Sequence, residues 1–207
     1  MFKKTTRILF ELSNLCNMNH EKCPAAHIDH PIILPEKIVY HVLEVCQEYN
    51  YKGEICFHRY NEPGIDPRLM LFIDKAKKSC TRIFFMTNGF YLNKTLEAEF
   101  YAHGVSEISV SNYTDPNYPF DDRLHFMDRP DTDCNKPCGA PLNEIIITCE
   151  GTVGLCCYDW RNDHTFGDLH SMSLPEILLS EKVMKVHERL SIGDRYLNLC
   201  KKCIATR

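Results

Sequence analysis

The sequence predicts an α/β fold, an open and partial barrel of about four to five βα units followed by a small cysteine-rich region built from a hairpin and a helix. Three observations predict it. Strand-like and helix-like segments alternate through the first two thirds of the chain, a Pro/Asp-rich stretch interrupts them after about Asp115, and cysteines gather beyond residue 130. Such alternation gives right-handed βαβ units, hence a parallel sheet with helices on its outer face and ligands at the C-terminal ends of its strands. Four units are visible, which is too few to close an eight-unit barrel.

The elements follow in order. Arg7 to Leu12 (RILFEL) reads as the first strand and leads into a cysteine-bearing loop. A helix is predicted from about Pro35 to Tyr49, because Pro35 suits a first helical turn, Ile38, Val42, Val45 and Tyr49 recur at helical spacing, and Gly53 marks the exit. The second unit is a strand over Glu54 to Tyr60 and a helix over Asp66 to Lys78. The third is a strand over Thr81 to Met86 and a helix over Asn93 to His103, closed by Gly104 before a fourth strand at Glu107 to Ser111. Arg123 to Met127 could add a fifth strand. The segments YTDPNYPFDD and DRPDTDCNKP read as connection, placing a boundary near residue 130 and dividing the chain into 1–130 and 131–207. Beyond it, Glu144 to Thr148 and Thr152 to Tyr158 flank a Glu150-Gly151 hairpin turn, and Leu174 to Leu190 reads as helical.

Composition narrows the function classes. The 207 residues, 44% of them hydrophobic, suffice for one sizeable core or one domain with a compact appendage. A net charge of −4 and an isoelectric point near 6.2 give no general attraction to nucleic acid or anionic membrane. No apolar run reaches membrane-spanning length, and Met1 to Arg7 are followed by a strand-like run rather than a signal-peptide core, so a cytoplasmic location is expected. Twelve cysteines in such a chain point to metal binding rather than disulfides, since cytosolic thiols are kept reduced.

The first cysteine group is Cys16, His20 and Cys23, a C-x3-H-x2-C spacing in the loop after the first strand. Thiolates and an imidazole suit either an iron–sulfur cluster or zinc. The second group is Cys134 and Cys138, then Gly151, Cys156 and Cys157, and finally Cys200-Lys201-Lys202-Cys203. Adjacent strand residues point to opposite faces, so Cys156 and Cys157 are not expected at one centre. Cys46, Cys56, Cys80 and Cys149 read as buried small apolar residues. A thiol-based redox role for Cys200 and Cys203 is disfavoured, because that C-x2-C lies at the chain end rather than at a helix N-terminus after a strand.

These words resemble the radical S-adenosylmethionine (SAM) superfamily with a C-terminal auxiliary-cluster region of the SPASM or twitch kind. The loop resembles the family's C-x3-C-x2-C, with His20 in place of the middle cysteine. Arg59-Tyr60-Asn61-Glu62-Pro63 looks like the Gly-Gly-Glu-Pro segment with its glycines altered, and Thr87-Asn88-Gly89 matches a Thr-Asn-Gly at the third strand's end. Ser109 and Ser111 share one face of the fourth strand. Pro141, Ile145-Ile146-Ile147, Gly151, Val153, Cys156 and Gly167-Asp168-Leu169 match the SPASM hairpin, in the shortened twitch form.

The resemblance implies a TIM-like partial barrel. It implies that Cys16, His20 and Cys23 hold a SAM-binding [4Fe-4S] cluster, with His27 and His30 as substitute ligands, and that Glu62 meets the SAM ammonium group with Asn61, Thr87, Asn88, Ser109 and Ser111 near it. Cys138, Cys156, Cys200 and Cys203 would hold an auxiliary [4Fe-4S] cluster, or zinc. His20 leaves three alternatives: it ligates, another nearby group does, or the site has lost radical chemistry. The implied activity is reductive SAM cleavage to a 5′-deoxyadenosyl radical that abstracts hydrogen from a peptide residue or small metabolite. A reducing partner such as flavodoxin or ferredoxin and a protein partner covering the open barrel are implied too. The alternative is a non-catalytic iron–sulfur or zinc protein acting as a binding subunit.

Overall fold

The protein is described here by a computed structural model, which describes residues 2, 4–18, 20–21, 23–27, 30–113, 130–132 and 134–203. Its strands are β1 (Arg7–Phe10), β2 (Glu54–Cys56), β3 (Arg82–Thr87), β4 (Glu107–Val110), β5 (Glu144–Ile147), β6 (Thr152–Gly154) and β7 (Thr165–Asp168). They form one open sheet in the order β4-β3-β2-β1-β5-β6-β7. The first five strands run parallel, and β6 and β7 turn back antiparallel. The fifth parallel strand is therefore β5, seated against β1 in the register Ile8↔Ile145. Arg123 to Met127 lie outside the described residues.

The helices are α1 (Glu36–Glu48), α2 (Leu69–Ala76), α3 (Lys94–Ala102), α4 (Ala140–Asn143), α5 (Leu174–Leu178), α6 (Glu181–Ser191) and α7 (Asn198–Lys201). Alternation along the strands decides which residues they cover. Ile8, Phe10, Ile55, Phe57, Ile83, Phe85, Ile145 and Ile147 enter one main core with the buried stripe Ile38, Val39, Val42, Leu43 and Cys46 of α1. Phe10, Phe57 and Phe72 form a run of stacked rings there, with centroids 5.6 and 6.5 Å apart. Residues of the hairpin and of α5 to α7, among them Val153, Ile177, Val186 and Leu199, belong to that same core.

The opposite, inner face of the sheet is layered, as interiors of parallel barrels are. At its N-terminal end a row of alternating charges crosses five strands. Arg7 pairs with Glu54 at 2.7 Å and Glu144 at 3.5 Å, while Arg82 pairs with Glu54 and Glu107. Above it Leu9, Cys56, Phe84 and Ile146 make a small apolar layer. The next residues on this face, by alternation, are Glu11, His58, Met86, Ser109 and Thr148.

The predicted elements differ from the observed ones mainly at their ends. The strands expected to reach Leu12, Tyr60, Ser111 and Tyr158 stop at Phe10, Cys56, Val110 and Gly154, where the chain turns to build loops. Pro35 caps α1 from outside rather than opening it. The single helix expected over Leu174 to Leu190 is two, because the Ser180 hydroxyl accepts from Val183 N at 3.4 Å and starts a new helix. Thr165–Asp168, read from sequence only as matching words, is the edge strand β7. Cys80 is partly exposed rather than buried, whereas Cys46, Cys56 and Cys149 are buried as expected. Among the described residues no helix is long and apolar enough to cross a membrane.

Candidate active site at the sheet's C-terminal edge

The first cysteine loop is tied at its base by Asn14, whose amide donates to His30 O at 2.8 Å and accepts from Ile32 N at 2.9 Å. Within it, Cys23 N donates to His20 O at 2.9 Å, and Met18 N points at Cys16 Sγ at 3.4 Å. Asn88 Nδ2 approaches the same sulfur at 3.8 Å and donates to Asn17 Oδ1 at 2.9 Å. The His20 ring meets Tyr113, just past β4, with centroids 4.3 Å apart. Burial pushes the Cys16 thiol up, opposed by the Met18 N–H and aggravated by the nearby Glu62 carboxylate. Burial likewise lowers His20, leaving a neutral imidazole with a lone pair. His30 is exposed, and the side chain of His27 lies outside the described residues.

Glu62 gathers the other words of the sequence. Its backbone N–H donates to Leu15 O at 2.8 Å, which ties the turn after β2 to the cysteine loop. Its carboxylate is 2% exposed and accepts from Thr87 Oγ1 at 2.6 Å, Asn88 N at 2.7 Å and Gly64 N at 3.0 Å. Three donors hold a desolvated anion in one orientation, the arrangement that strengthens a charge-assisted contact with a cation. Ser111 is buried and its N–H donates to Thr87 O at 2.8 Å, so it borders this cluster, and Ser109 lies one layer below it, half-buried. Asn61 is buried. Its Oδ1 accepts from Arg59 N at 3.1 Å, and its Nδ2 has no hydrogen-bond partner among the described residues.

Between this cluster and the hairpin stands Arg59, whose guanidinium is 2% exposed. It donates to Glu11 at 3.0 Å, to Asn162 Oδ1 at 2.9 Å and to the carbonyl of Asp159 at 2.6 Å. Beside it the Tyr60 hydroxyl donates to the carbonyl of Cys157. Tyr60, which stands where the family has a glycine, and its neighbour Arg59 thus fasten the end of β2 to the cysteine hairpin. Burial lowers the basicity of Arg59, and Glu11, Tyr60 and Asp159 together more than reverse that, so the buried cation stays charged. Asp159 is 1% exposed and raised by burial, although N–H donors from Asp163 at 3.0 Å and His164 at 2.8 Å oppose the rise. Arg59, Tyr60 and Asp159 stand inside words that match the family, but those words give them no role, and neither Glu11 nor Asn162 carries a spacing signal. A charged residue inside an otherwise apolar strand end was the one available hint for Glu11.

The second cysteine group assembles from three places. Cys138 is held by its N–H on Leu190 O at 2.9 Å, Cys156 follows β6, and Cys200 and Cys203 lie in and after α7, with Cys203 N on Cys200 O at 3.2 Å. The Cys200 thiol is pushed up to about 12 by burial and by Cys138, Cys203 and Asp159, while Arg195 opposes. Cys156 is raised by burial, Cys157, Cys200 and Asp159. Cys200 thus has Cys138, Cys156 and Cys203 all within electrostatic reach, which places the four in one locality. Buried thiolates that repel each other need a cation between them, so the donor set fits a thiolate-bound metal group. The protein chain by itself does not draw them to bonding geometry: among the described residues no three His, Cys, Asp or Glu side chains are grouped to hold a metal ion. Cys156 and Cys157 lie in a turn past β6, so strand alternation does not separate them. Their neighbours do, since Cys156 couples to Cys200 while the Cys157 carbonyl serves Tyr60.

Residues 138–204 match the family model of SPASM, an iron–sulfur cluster-binding domain. The S-adenosyl-L-methionine-dependent 2-deoxy-scyllo-inosamine dehydrogenase of Niallia circulans is 21% identical, over 78% of this chain and 77% of its own. The crystal structure of BtrN in complex with AdoMet and 2-DOIA superposes with a TM-score of 0.81 at 20% identity, covering 99% of this chain and 95% of that one. Native anSMEcpe with bound AdoMet superposes with a TM-score of 0.58 at 11% identity, covering 96% and 86%. Residues 138–204 are therefore similar to the SPASM iron–sulfur cluster-binding domain, and nearly the whole chain has the fold of BtrN.

Proposed function

We propose that the protein is a radical SAM dehydrogenase that oxidises a small hydroxylated metabolite. The observation that carries this reading is the Glu62 carboxylate, oriented by Thr87, Asn88 and Gly64 and tied through Leu15 and Asn88 to the loop bearing Cys16. Cys16, His20 and Cys23 would hold the SAM-binding [4Fe-4S] cluster. Glu62 would receive the SAM ammonium group, with Asn61, Thr87, Asn88, Ser109 and Ser111 around the rest of it. Cys138, Cys156, Cys200 and Cys203 would hold the auxiliary [4Fe-4S] cluster. Residues 1–130 would thus bind SAM and residues 131–207 carry the second centre.

When bound, these groups supply reductive SAM cleavage, hydrogen abstraction by the 5′-deoxyadenosyl radical and an acceptor for the second electron. The protein's own part is to fix Glu62 and to exclude water from the inner face. A small-molecule substrate rather than a peptide is supported by the likeness to the Niallia circulans dehydrogenase and by the fuller superposition on BtrN than on anSMEcpe, whose structure is also known with a bound Cp18Cys peptide. A flavodoxin or ferredoxin would supply the reducing electron.

The test is anaerobic reconstitution followed by SAM and a strong reductant. The protein is expected to form 5′-deoxyadenosine, Cys23→Ala to abolish it, and Glu62→Gln to weaken SAM binding at least tenfold, as expected for losing a charge-assisted hydrogen bond. Formation unchanged in Cys23→Ala would overturn the assignment.

A further inference from the structure

Oxidising an alcohol to a ketone removes a hydroxyl proton as well as a hydrogen atom, so the site needs a base within the barrel. Among the described residues the inner face near both cysteine groups is bordered by Glu62, Asp159, Glu11 and His58, and the first three are already committed. Glu62 accepts from Thr87, Asn88 and Gly64. The carboxylate of Asp159 accepts from Asp163 N and His164 N with one oxygen each. Glu11 is neutralised by Arg59 and also accepts from Cys149 N at 3.2 Å.

The fourth is His58. It lies two residues after Cys56 and so on the inner face, with its ring against Phe84 of the apolar layer at 5.1 Å. Its chain neighbours lead both ways, since Arg59 and Tyr60 reach the hairpin and Glu62 holds the SAM-site cluster. Its Nδ1 is sealed from solvent and has no hydrogen-bond partner among the described residues. A buried imidazole nitrogen without a partner is costly to keep, and on the inner face of the sheet such an atom is a place where a ligand's polar group can complete the bonding. Burial and Arg7 lower its pKa to about 4, against Glu54, so the ring is neutral and in the Nε2–H tautomer offers a lone pair at Nδ1.

Resting on the dehydrogenase reading above, we propose that His58 is a catalytic residue whose Nδ1 accepts the substrate's hydroxyl proton. The carbinol C–H hydrogen leaves as an atom to the 5′-deoxyadenosyl radical. The O–H bond then breaks, its proton passing to His58 Nδ1 and the remaining unpaired electron to the oxidised auxiliary [4Fe-4S] cluster. A C=O bond is left, and two electrons and two hydrogens have been removed.

The probe is 2-deoxy-scyllo-inosamine, added to the reconstituted holoenzyme with SAM. Calorimetric titration without reductant reads binding. His58→Gln, whose amide still hydrogen-bonds, should bind within threefold of the parent, whereas His58→Phe should bind about tenfold more weakly, the loss of one hydrogen bond. With reductant, both variants should yield at least tenfold less ketone per 5′-deoxyadenosine than the parent, general bases being worth at least that factor. A structural role alone would lower both products together. Unaltered binding in His58→Phe, or unaltered ketone yield per 5′-deoxyadenosine in His58→Gln, would overturn the assignment of His58 alone. A parent enzyme that makes 5′-deoxyadenosine but neither binds nor oxidises the probe would overturn the substrate reading and the His58 role with it.

Discussion

Glu11 and Arg59 meet where neither is hydrated, at side-chain exposures of 5% and 2%. Removing one partner of such a pair strands a buried charge, at a cost of about 3 to 5 kcal/mol, whereas replacing both by apolar groups is far milder. Glu11→Gln is therefore expected to destabilise the protein by about 3 kcal/mol, and Glu11→Leu/Arg59→Leu by less than the sum of the single changes, read from urea midpoints. His58 adds a pH dependence of definite sign. Its pKa is lowered from 6.5 to about 4 in the folded state, so the unfolded chain binds the extra proton between those values. Stability is whole above about pH 6.5 and is lost as pH falls toward 4. Between pH 7.5 and 5 this amounts to about 2 kcal/mol, and the difference should vanish in His58→Phe when the two are compared at both pH values. Among these residues the sequence displayed Glu62, Thr87 and Asn88, because their words recur at strand ends. It did not display the contact between Arg59 and Asp159, which lie 100 positions apart along the chain.

At the scale of elements, local chemistry settles most boundaries. α5 begins with a capping box in which Ser173 Oγ accepts from Glu176 N at 3.4 Å and the Glu176 carboxylate accepts from Ser173 N at 2.7 Å. Ser173→Ala should cost about 1 kcal/mol, which is a fall of about 2 to 4 °C in Tm for a chain of this size. The Glu150-Gly151 turn was legible for the same local reason: Gly151 takes φ +80°, and the hairpin pairs Ile147 with Val153. The loop between α6 and α7 was not legible. Gly193 sits at φ +87° and a Cβ there would stand 1.7 Å from Asn135 O, while Arg195 Nε holds Lys136 O at 3.0 Å. This close approach seats the segment that carries Cys138. Gly193→Ala combines a left-handed backbone with a backbone clash, and should cost at least about 2 kcal/mol. Its auxiliary centre should also lose iron first, measured by iron content after dilution into chelator. Equal iron retention in this variant and the parent would separate the segment from the second site.

Over the whole molecule, the cysteine-rich region completes the barrel sheet. β1 lies between β2 and β5, with Arg7 bonded in register to Glu54 on one side and Glu144 on the other. The main core likewise mixes residues of both regions. A fragment ending at residue 130 would expose the β1 edge and the apolar surface that Ile145, Ile147 and Val153 cover. Unpaired edges of this kind aggregate. Residues 1–130 expressed alone should accumulate as insoluble protein, and co-expression of 131–207 should raise the soluble fraction. Equal solubility of the fragment with and without 131–207 would show that β1 does not need β5.

What the sequence by itself determined was the series of βα units, the order of motifs at their C-terminal ends and the two cysteine groups. Each of these is written in local spacing, in periods of two or three to four residues and in turn residues that need no distant partner. What only the tertiary structure decided was the place of β5 beside β1, the Arg59 and Tyr60 bridge to the hairpin, and the burial of His58 Nδ1 on the inner face without a partner among the described residues. Those depend on which strand edges and which buried charges meet once the chain has closed, and side chains far apart in sequence leave no periodic trace of the partners they will find.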